Sequence, residues 1–432
     1  LIKNFMERFT GLLGVILILG LAFLMSNNKK RINYRLVISG LAIQLAMAIF
    51  ILKVPIGQAM FSKLGYIVTK VLDFSNEGAN FVFGILVNGK KLDEVFGSGS
   101  GFIFIFKILP TIIFVSVLVS IAYQIGLMQR VVSVIAKIVH RLMGVSGSEA
   151  LSNVASAFVG QVEAQIMIKP YIGTMTKSEL LASMSGSMAC IAGGVMAVYI
   201  AMGVPAPYLI AASLMAAPGA LVISKIVFPE VEESQTKGSV KLEIKKQHTN
   251  LLDAISHGAG DGLKVSLNVL AMLIGFIALI AMVDYALGWI GRGMYGANIS
   301  LASIGIDVQK LSMKEILGSL FSIFAFAMGV PSKDLHEVGG LLGTKIVINE
   351  FVAYSDLSSI IKSGALSPKS ITIVSFALCG FANFSSIAIQ VGGIGELAPE
   401  RRTDLAKLGF KALICGTLAS YLSATIAGIL IT

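Results

Sequence analysis

Hydrophobic residues in this chain gather in long blocks, with charged residues confined to the short stretches between them. A membrane-spanning helix needs about 20 mostly apolar residues. By that measure spans are predicted near 10–26, 36–54, 101–128, 179–203, 207–227, 264–290, 371–395 and 406–431, eight in all. The first block has no small-residue cleavage site ahead of Lys29-Lys30-Arg31, so it reads as a retained helix and not as a cleaved leader. The pattern predicts an all-α polytopic membrane protein.

Several stretches do not fit a simple span. Ile56–Phe74 has helical periodicity but is shorter and wetter, and Gln129–Met143 interleaves basic residues with Val and Ile. Both read as amphipathic helices lying at the interface. Phe228–Asn250, with Glu230, Glu232, Glu233 and several lysines, reads as a solvated linker. Two more stretches are apolar with a polar break in the middle. Ser152–Tyr171 is interrupted at Gly160-Gln161-Val162-Glu163-Ala164-Gln165, and Val338–Ile361 at Asn349-Glu350.

Basic residues orient the spans. Lys29, Lys30, Arg31 and Arg35 follow the first span, and Arg130, Lys137 and Arg141 follow the third. Lys237, Lys241, Lys245 and Lys246 lie between the fifth and sixth, and Arg401, Arg402 and Lys407 between the seventh and eighth. With both termini outside, all four clusters fall on the cytoplasmic face of an inner membrane. Lys90-Lys91 falls outside, offset by Asp93 and Glu94. Counting either interrupted stretch as a full span would reverse this pattern for every later helix. Each is therefore expected to be a re-entrant helical hairpin that enters and leaves on one face, its irregular backbone buried in protein or lining a cavity.

Composition agrees. The 432 residues are 55% hydrophobic and 13% charged, against about a quarter charged in a soluble domain. The net charge of +10 sits in interhelical loops, so it points to membrane topology and not to nucleic acid. Cys190, Cys379 and Cys415 lie inside apolar segments, and they and the four histidines have no disulfide or metal-ligand spacing.

The two halves of the chain repeat a pattern. Glu163 is followed by Met188-Ala189-Cys190-Ile191-Ala192-Gly193-Gly194, and Glu350 by Cys379-Gly380-Phe381-Ala382-Asn383-Phe384-Ser385-Ser386. Each later segment is a Gly-containing polar stretch inside an apolar span. A hairpin, a discontinuous helix and an intact helix thus occur twice, opening to opposite faces as inverted repeats. The division expected is 1–147 for the N-terminal and interfacial helices, 148–227 for the first repeat, 228–261 for the linker, 262–335 for a further span and interfacial helix, and 336–432 for the second repeat. Paired interrupted segments at corresponding positions mark a transporter's substrate site.

A carboxylate at membrane depth costs several kcal/mol unless paired or hydrated, which makes Glu163 and Glu350 the leading functional candidates. Each could also cap the N-terminus of its own hairpin helix. Gln161 stands near the first, and Asn383, Ser385 and Ser386 near the second. Amides and hydroxyls, with no basic residue inside either broken segment, suit a neutral ligand rich in hydroxyl or amide groups. An anion would call for Arg or Lys. Phe381 and Phe384 offer aromatic faces for packing or for stacking.

Gly160-Gln161-Val162-Glu163-Ala164, Gly193-Gly194-Val195, Asn349-Glu350-Phe351-Val352-Ala353 and Phe381-Ala382-Asn383-Phe384-Ser385-Ser386 resemble the signatures of the concentrative nucleoside transporter family. The resemblance covers essentially the whole chain, including Gly329-Val330-Pro331 and Pro399-Glu400-Arg401-Arg402. It implies a homotrimer, each protomer with its own site, in which spans 101–128 and 264–290 belong to a scaffold and the hairpins and discontinuous helices form a mobile transport domain. It further implies that Gln161 and Glu163 contact the base of a uridine-like nucleoside, with Val162 beside them and Val195 and Phe381 flanking. Glu350, Asn383 and Ser386 would bond the ribose hydroxyls. The coupling ion would lie near Ser156, Val159, Cys190 and Ile191. Sodium-coupled members usually carry Asn and Ser where this chain has Ser156 and Cys190. A thiol is a poor ligand for hard Na⁺, so H⁺ is the favoured ion, with Glu163 its carrier and Na⁺ second. Val162 stands where Thr or Ser is usual, which removes a hydroxyl from the base pocket.

Other classes fit less well. Channel hairpins usually repeat around one axis. A membrane enzyme would need a metal cluster or an activated nucleophile, and an ATP-driven pump a phosphate-binding Gly-rich loop. The sequence displays none of these, so neither an enzyme nor a cofactor is expected.

Overall fold

The computed structural model describes residues 2–97, 103–237, 249–301 and 305–431. Lys241, Lys245, Lys246 and His248 of the linker lie outside the described residues, as do positions 101–102 at the head of the third expected span.

The chain is all-helical. It opens with α1 (Ile2–Leu24), α2 (Tyr34–Leu52), α3 (Pro55–Asp73), α4 (Ser75–Phe83), α5 (Gly89–Phe96), α6 (Phe104–Gln124) and α7 (Leu127–Met143). A first interrupted unit follows: α8 (Gly147–Ser156), α9 (Glu163–Ile166), α10 (Lys169–Ile172), α11 (Lys177–Ala189), α12 (Gly193–Ala201) and the intact α13 (Ala206–Val227). Then come α14 (Leu251–Gly296) and α15 (Met313–Ala327). The second unit repeats the scheme with α16 (Leu335–Val347), α17 (Glu350–Ser363), α18 (Pro368–Ala377), α19 (Phe384–Leu397) and α20 (Arg402–Leu430).

Among the described residues, six helical runs are long and apolar enough to cross a membrane: 34–52, 104–124, 177–201, 206–227, 251–296 and 399–430, with Thr10–Leu24 a shorter apolar run. The stretch expected to span at 371–395 is divided into α18 and α19. α14 begins at Leu251, ahead of the expected 264, and its 46 residues extend for about 69 Å at 1.5 Å per residue. That is roughly twice the hydrocarbon thickness. The amphipathic readings of 56–74 and 129–143 correspond to α3 and α7.

Local chemistry fixes where the broken helices start and stop. α8 and α11 open on capping boxes, Ser146 with Glu149 and Thr176 with Glu179. α17 and α19 open on asparagines: the side chain of Asn349 accepts from the Val352 N–H at 2.9 Å and that of Asn383 from the Ser386 N–H at 2.9 Å. The second break turns at Gly380, whose φ of +102° few residues other than glycine adopt. A Cβ there would also come within 2.5 Å of the Met188 and Ala189 carbonyl oxygens. The breaks of the two units therefore lie directly against each other.

α13 and α20 form the buried centre, and α11, α18 and α19 pack around α20. α6 and α14 lie along one another at the periphery, where Gly258 and Gly262 admit the backbone of α6 beside Ser116 and Ser120. The outer face of α14 stays exposed, with Ile274, Ile277, Met282 and Trp289 on it.

Candidate functional site

The starts of α17 and α19 meet at Glu350. Its carboxylate accepts from Asn383 Nδ2 at 2.8 Å and from the Tyr199 hydroxyl at 3.3 Å. Glu350 and Asn383 are 6% and 2% exposed. The helix cap itself comes from Asn349, which leaves the carboxylate to reach across to the second break. The oxygen of Asn383 is engaged in turn: its Oδ1 accepts from the Ser386 N–H and from Ser385 Oγ at 2.7 Å. Tyr199 is stacked on Tyr354 with ring centres 4.2 Å apart, and Phe351 meets it edge-on. The Tyr354 hydroxyl bonds the Ser375 carbonyl at 2.8 Å. The aromatic pair therefore holds the hydroxyl that faces Glu350.

Gln161 ties the first unit to this chain of bonds. Its Nε2 donates to Ser386 Oγ at 3.5 Å, and its Oε1 accepts from Gln390 Nε2 at 3.3 Å. Gln390 is fully buried and donates as well to the Met184 carbonyl. Val162 packs on α19 at Gly393, where an added side chain would come within 2.7 Å of it. Four expected residues, Gln161, Glu350, Asn383 and Ser386, are thus linked in one hydrogen-bonded chain.

Other expected residues stand apart from that chain. Glu163 is exposed in the first turn of α9, with its carboxylate folded over Gly160, where any side chain would collide with it. Val195 and Phe381 are half-buried, on α12 and in the second break. Phe384 is 51% exposed and lines an apolar hollow of about 260 Å³ with Phe321, Phe324 and Tyr421.

The residues expected around a coupling ion form a second, separate cluster. Ser156 Oγ donates to the Ser152 carbonyl at 2.8 Å and is bonded to Ser187 Oγ at 2.9 Å. The Cys190 thiol points to the Ser213 carbonyl at 3.7 Å, and Ser213 Oγ bonds the carbonyls of Ala157 and Ile191 at 3.2 and 3.5 Å. Val159 is buried beside them. Gln165 donates to Ser187 Oγ at 2.7 Å and Ser152 Oγ at 3.0 Å. In this arrangement the hydroxyl and thiol are engaged with protein groups.

Sequence reasoning missed Tyr199, Ser213, Lys345 and Gln390. Each is a polar group flanked by apolar residues in its helix, a signal that could have been followed. Lys345 lies outside both broken segments but brings a basic group against the second. It is fully buried on α16, and its ammonium donates to the carbonyls of Ala377 and Cys379 at 2.8 and 3.0 Å.

Paired broken helices whose starts converge on a buried carboxylate, within a chain of long apolar helices, define a multi-pass membrane transporter. Sequence profiles locate it further. Those of the Na⁺ dependent nucleoside transporter N-terminus and C-terminus match residues 13–86 and 208–428, and one described as nucleoside recognition matches 105–206. The chain belongs to the concentrative nucleoside transporter family. It is 38% identical to the nucleoside permease NupC of Helicobacter pylori over 97% of this chain and 96% of that one. It is 39% identical to sodium/nucleoside cotransporter 1 of Rattus norvegicus over 98% of this chain and 64% of the longer rat protein. The fold matches CNTnw in an inward-facing substrate-bound state with a TM-score of 0.90 at 42% identity, covering 98% of each chain. A variant of CNTnw in an intermediate state matches with 0.91.

Proposed function

We propose that this protein takes up nucleosides by cation symport, carrying them on a transport domain that alternates between the two sides of the inner membrane. The observation that carries the reading is the bond from Asn383 to Glu350 at the meeting of two broken helices, with Gln161 reaching Ser386 from the first unit. A carboxylate accepts from vicinal hydroxyls and an amide pairs with a base edge. That division suits a ribose at Glu350, Asn383 and Ser386, and a uracil-like base at Gln161, Val162 and Glu163, between Val195 and Phe381.

H⁺ is the favoured coupling ion and Na⁺ the second. The Ser156 hydroxyl and Cys190 thiol are already bonded to protein groups, and sulfur suits Na⁺ poorly. Glu163 is exposed where a proton could reach it. On the other side stand the sodium-dependent relatives. The units 148–227 and 336–432 form the moving part in this reading. The α6–α14 pair, with the exposed apolar face of α14, belongs to the scaffold of a homotrimer, and both termini lie outside. Uptake of labelled uridine into proteoliposomes tests the proposal, first under a pH gradient and then under a Na⁺ gradient. Concentrative uptake under either gradient is expected. Uptake that ignores both would make the protein a facilitator.

A further inference from the structure

The two units close the same junction with different chemistry. In each, the first arm of the interrupted stretch ends beside the C-terminal end of the broken helix. In the first unit the ties are neutral, from Ser156 to Ser187 and through Ser213 to the carbonyls of Ala157 and Ile191. In the second unit the tie is a charged group. Lys345, in the last turn of α16, donates to Ala377 O at the end of α18 and to Cys379 O in the break. A helix C-terminus carries partial negative charge and favours a cation. Ser420 Oγ donates to the same Cys379 oxygen at 2.6 Å, so that carbonyl is held from two sides.

A fully buried ammonium needs more than two carbonyls, because an uncompensated charge in a protein interior is costly. Glu350 lies five residues further on, past the break at Ile348–Asn349, and is a second buried charge of opposite sign, without an ion-pair contact to the ammonium. Glu350 in turn holds Asn383, at the far side of the break whose near side Lys345 holds. Both edges of the second break are thus attached to this stretch, the near edge through a buried cation on α16 and the far edge through a buried anion on α17.

We propose that Lys345 is a positioning residue for the ligand site: its ammonium fixes the second break to α16 and balances Glu350, so that the carboxylate stays oriented on Asn383 and Tyr199. The role assigned to Glu350 in ligand binding rests on the function proposed above. The charge pairing does not, and the two can be tested apart.

The test is a double-mutant cycle on the full chain purified in detergent, with Lys345→Met, Glu350→Gln and the two together. Thermal midpoints are read from the surviving size-exclusion peak, and uridine dissociation constants by calorimetry. Lys345→Met keeps the length and apolar stem while removing the charge. It is expected to lower the midpoint and to weaken uridine binding at least tenfold. Adding Glu350→Gln is expected to recover at least half of the lost midpoint, because the stranded carboxylate is then neutral. Additive midpoints would overturn the pairing, and a parental uridine constant in Lys345→Met would overturn the positioning role. If Lys345→Met yields no folded protein, recovery of a monodisperse peak in the double variant supports the pairing and its absence overturns it. Parental protein that binds no uridine, with the midpoints still coupled, would count against the proposed function and leave the pairing upheld.

Discussion

Asn383 donates to Glu350 at 2.8 Å from the first residue outside one helix to the first residue inside another. Each side chain is held at a helix start, the asparagine by the Ser386 N–H it caps and the glutamate by the asparagine and Tyr199. Ligand hydroxyls arriving here would meet acceptors and donors that are already oriented, so little conformational entropy would be lost on binding.

Removing the charge at Glu350 tests this directly. Hydrogen bonds to a charged partner contribute about 1.5–3 kcal/mol, so Glu350→Gln is expected to weaken uridine binding by roughly tenfold to a hundredfold. Saturable uptake should be lost with the purified assembly unchanged in size. Parental uptake in this variant would demote Glu350 to a structural group.

Gln390 controls which way the Gln161 amide faces, because its N–H occupies Gln161 Oε1 and leaves Nε2 directed to Ser386. Gln390→Leu removes a neutral hydrogen bond of about 1 kcal/mol. The expected outcome is a change of about fivefold in the ratio of dissociation constants for uridine and adenosine. A variant that weakens both equally would argue that Gln390 only packs.

At Gly380 a methyl group would meet two problems at once, the φ of +102° and the carbonyls of Met188 and Ala189 at 2.5 Å. Backbone strain of this kind costs about 1–3 kcal/mol. Gly380→Ala is expected to lower the thermal midpoint, whereas Gly364→Ala, at φ +69° with open space around it, should cost less. Equal losses would mean that the contact between the breaks contributes nothing.

Asp334, in the turn ahead of α16, carries a pH dependence of known sign. Burial alone would raise its pKa. The hydroxyls of Ser370 and Ser367, the Ser367 N–H and Lys333 outweigh that and hold it below the ordinary carboxylate value. A depressed folded-state pKa gives stability that is fully present above the unfolded value of about 3.9 and lost as pH falls through the lower folded value. Asp334→Asn should therefore be less stable than the parent at pH 7, with the gap narrowing toward acid. Thermal midpoints across pH would check it, and a gap that widens toward acid would contradict it.

Sequence alone carried much of the fold, because long apolar runs broken by Gly160–Gln165, Asn349-Glu350 and the Gly380 segment have few physical explanations. It located Glu350 and Asn383 for the same reason. Tyr199 and Gln390 were visible as polar groups in apolar surroundings, but their roles were not legible. A lone polar group in an apolar run reveals its partner only once packing brings Glu350 or Gln161 to it. Lys345 was overlooked because its charge serves carbonyls 32 and 34 residues away. The first turns of α14 were missed because Asp253, His257 and Asp261 dilute the hydropathy that marks the rest of the helix. Residues 251–263 are helical all the same, opened by Asn250, whose side chain caps the Asp253 N–H at 2.9 Å.

The contact at Gly380 has a mechanical consequence. Two surfaces that leave no room for a methyl group cannot slide or part without losing the fit, and Gln161 and Val162 fasten the same units a few residues away. Under the proposed function a ligand at Glu350 would therefore be held by one body and not by a pair of jaws. Opening to either side of the membrane would then come from displacement of that body against its surroundings.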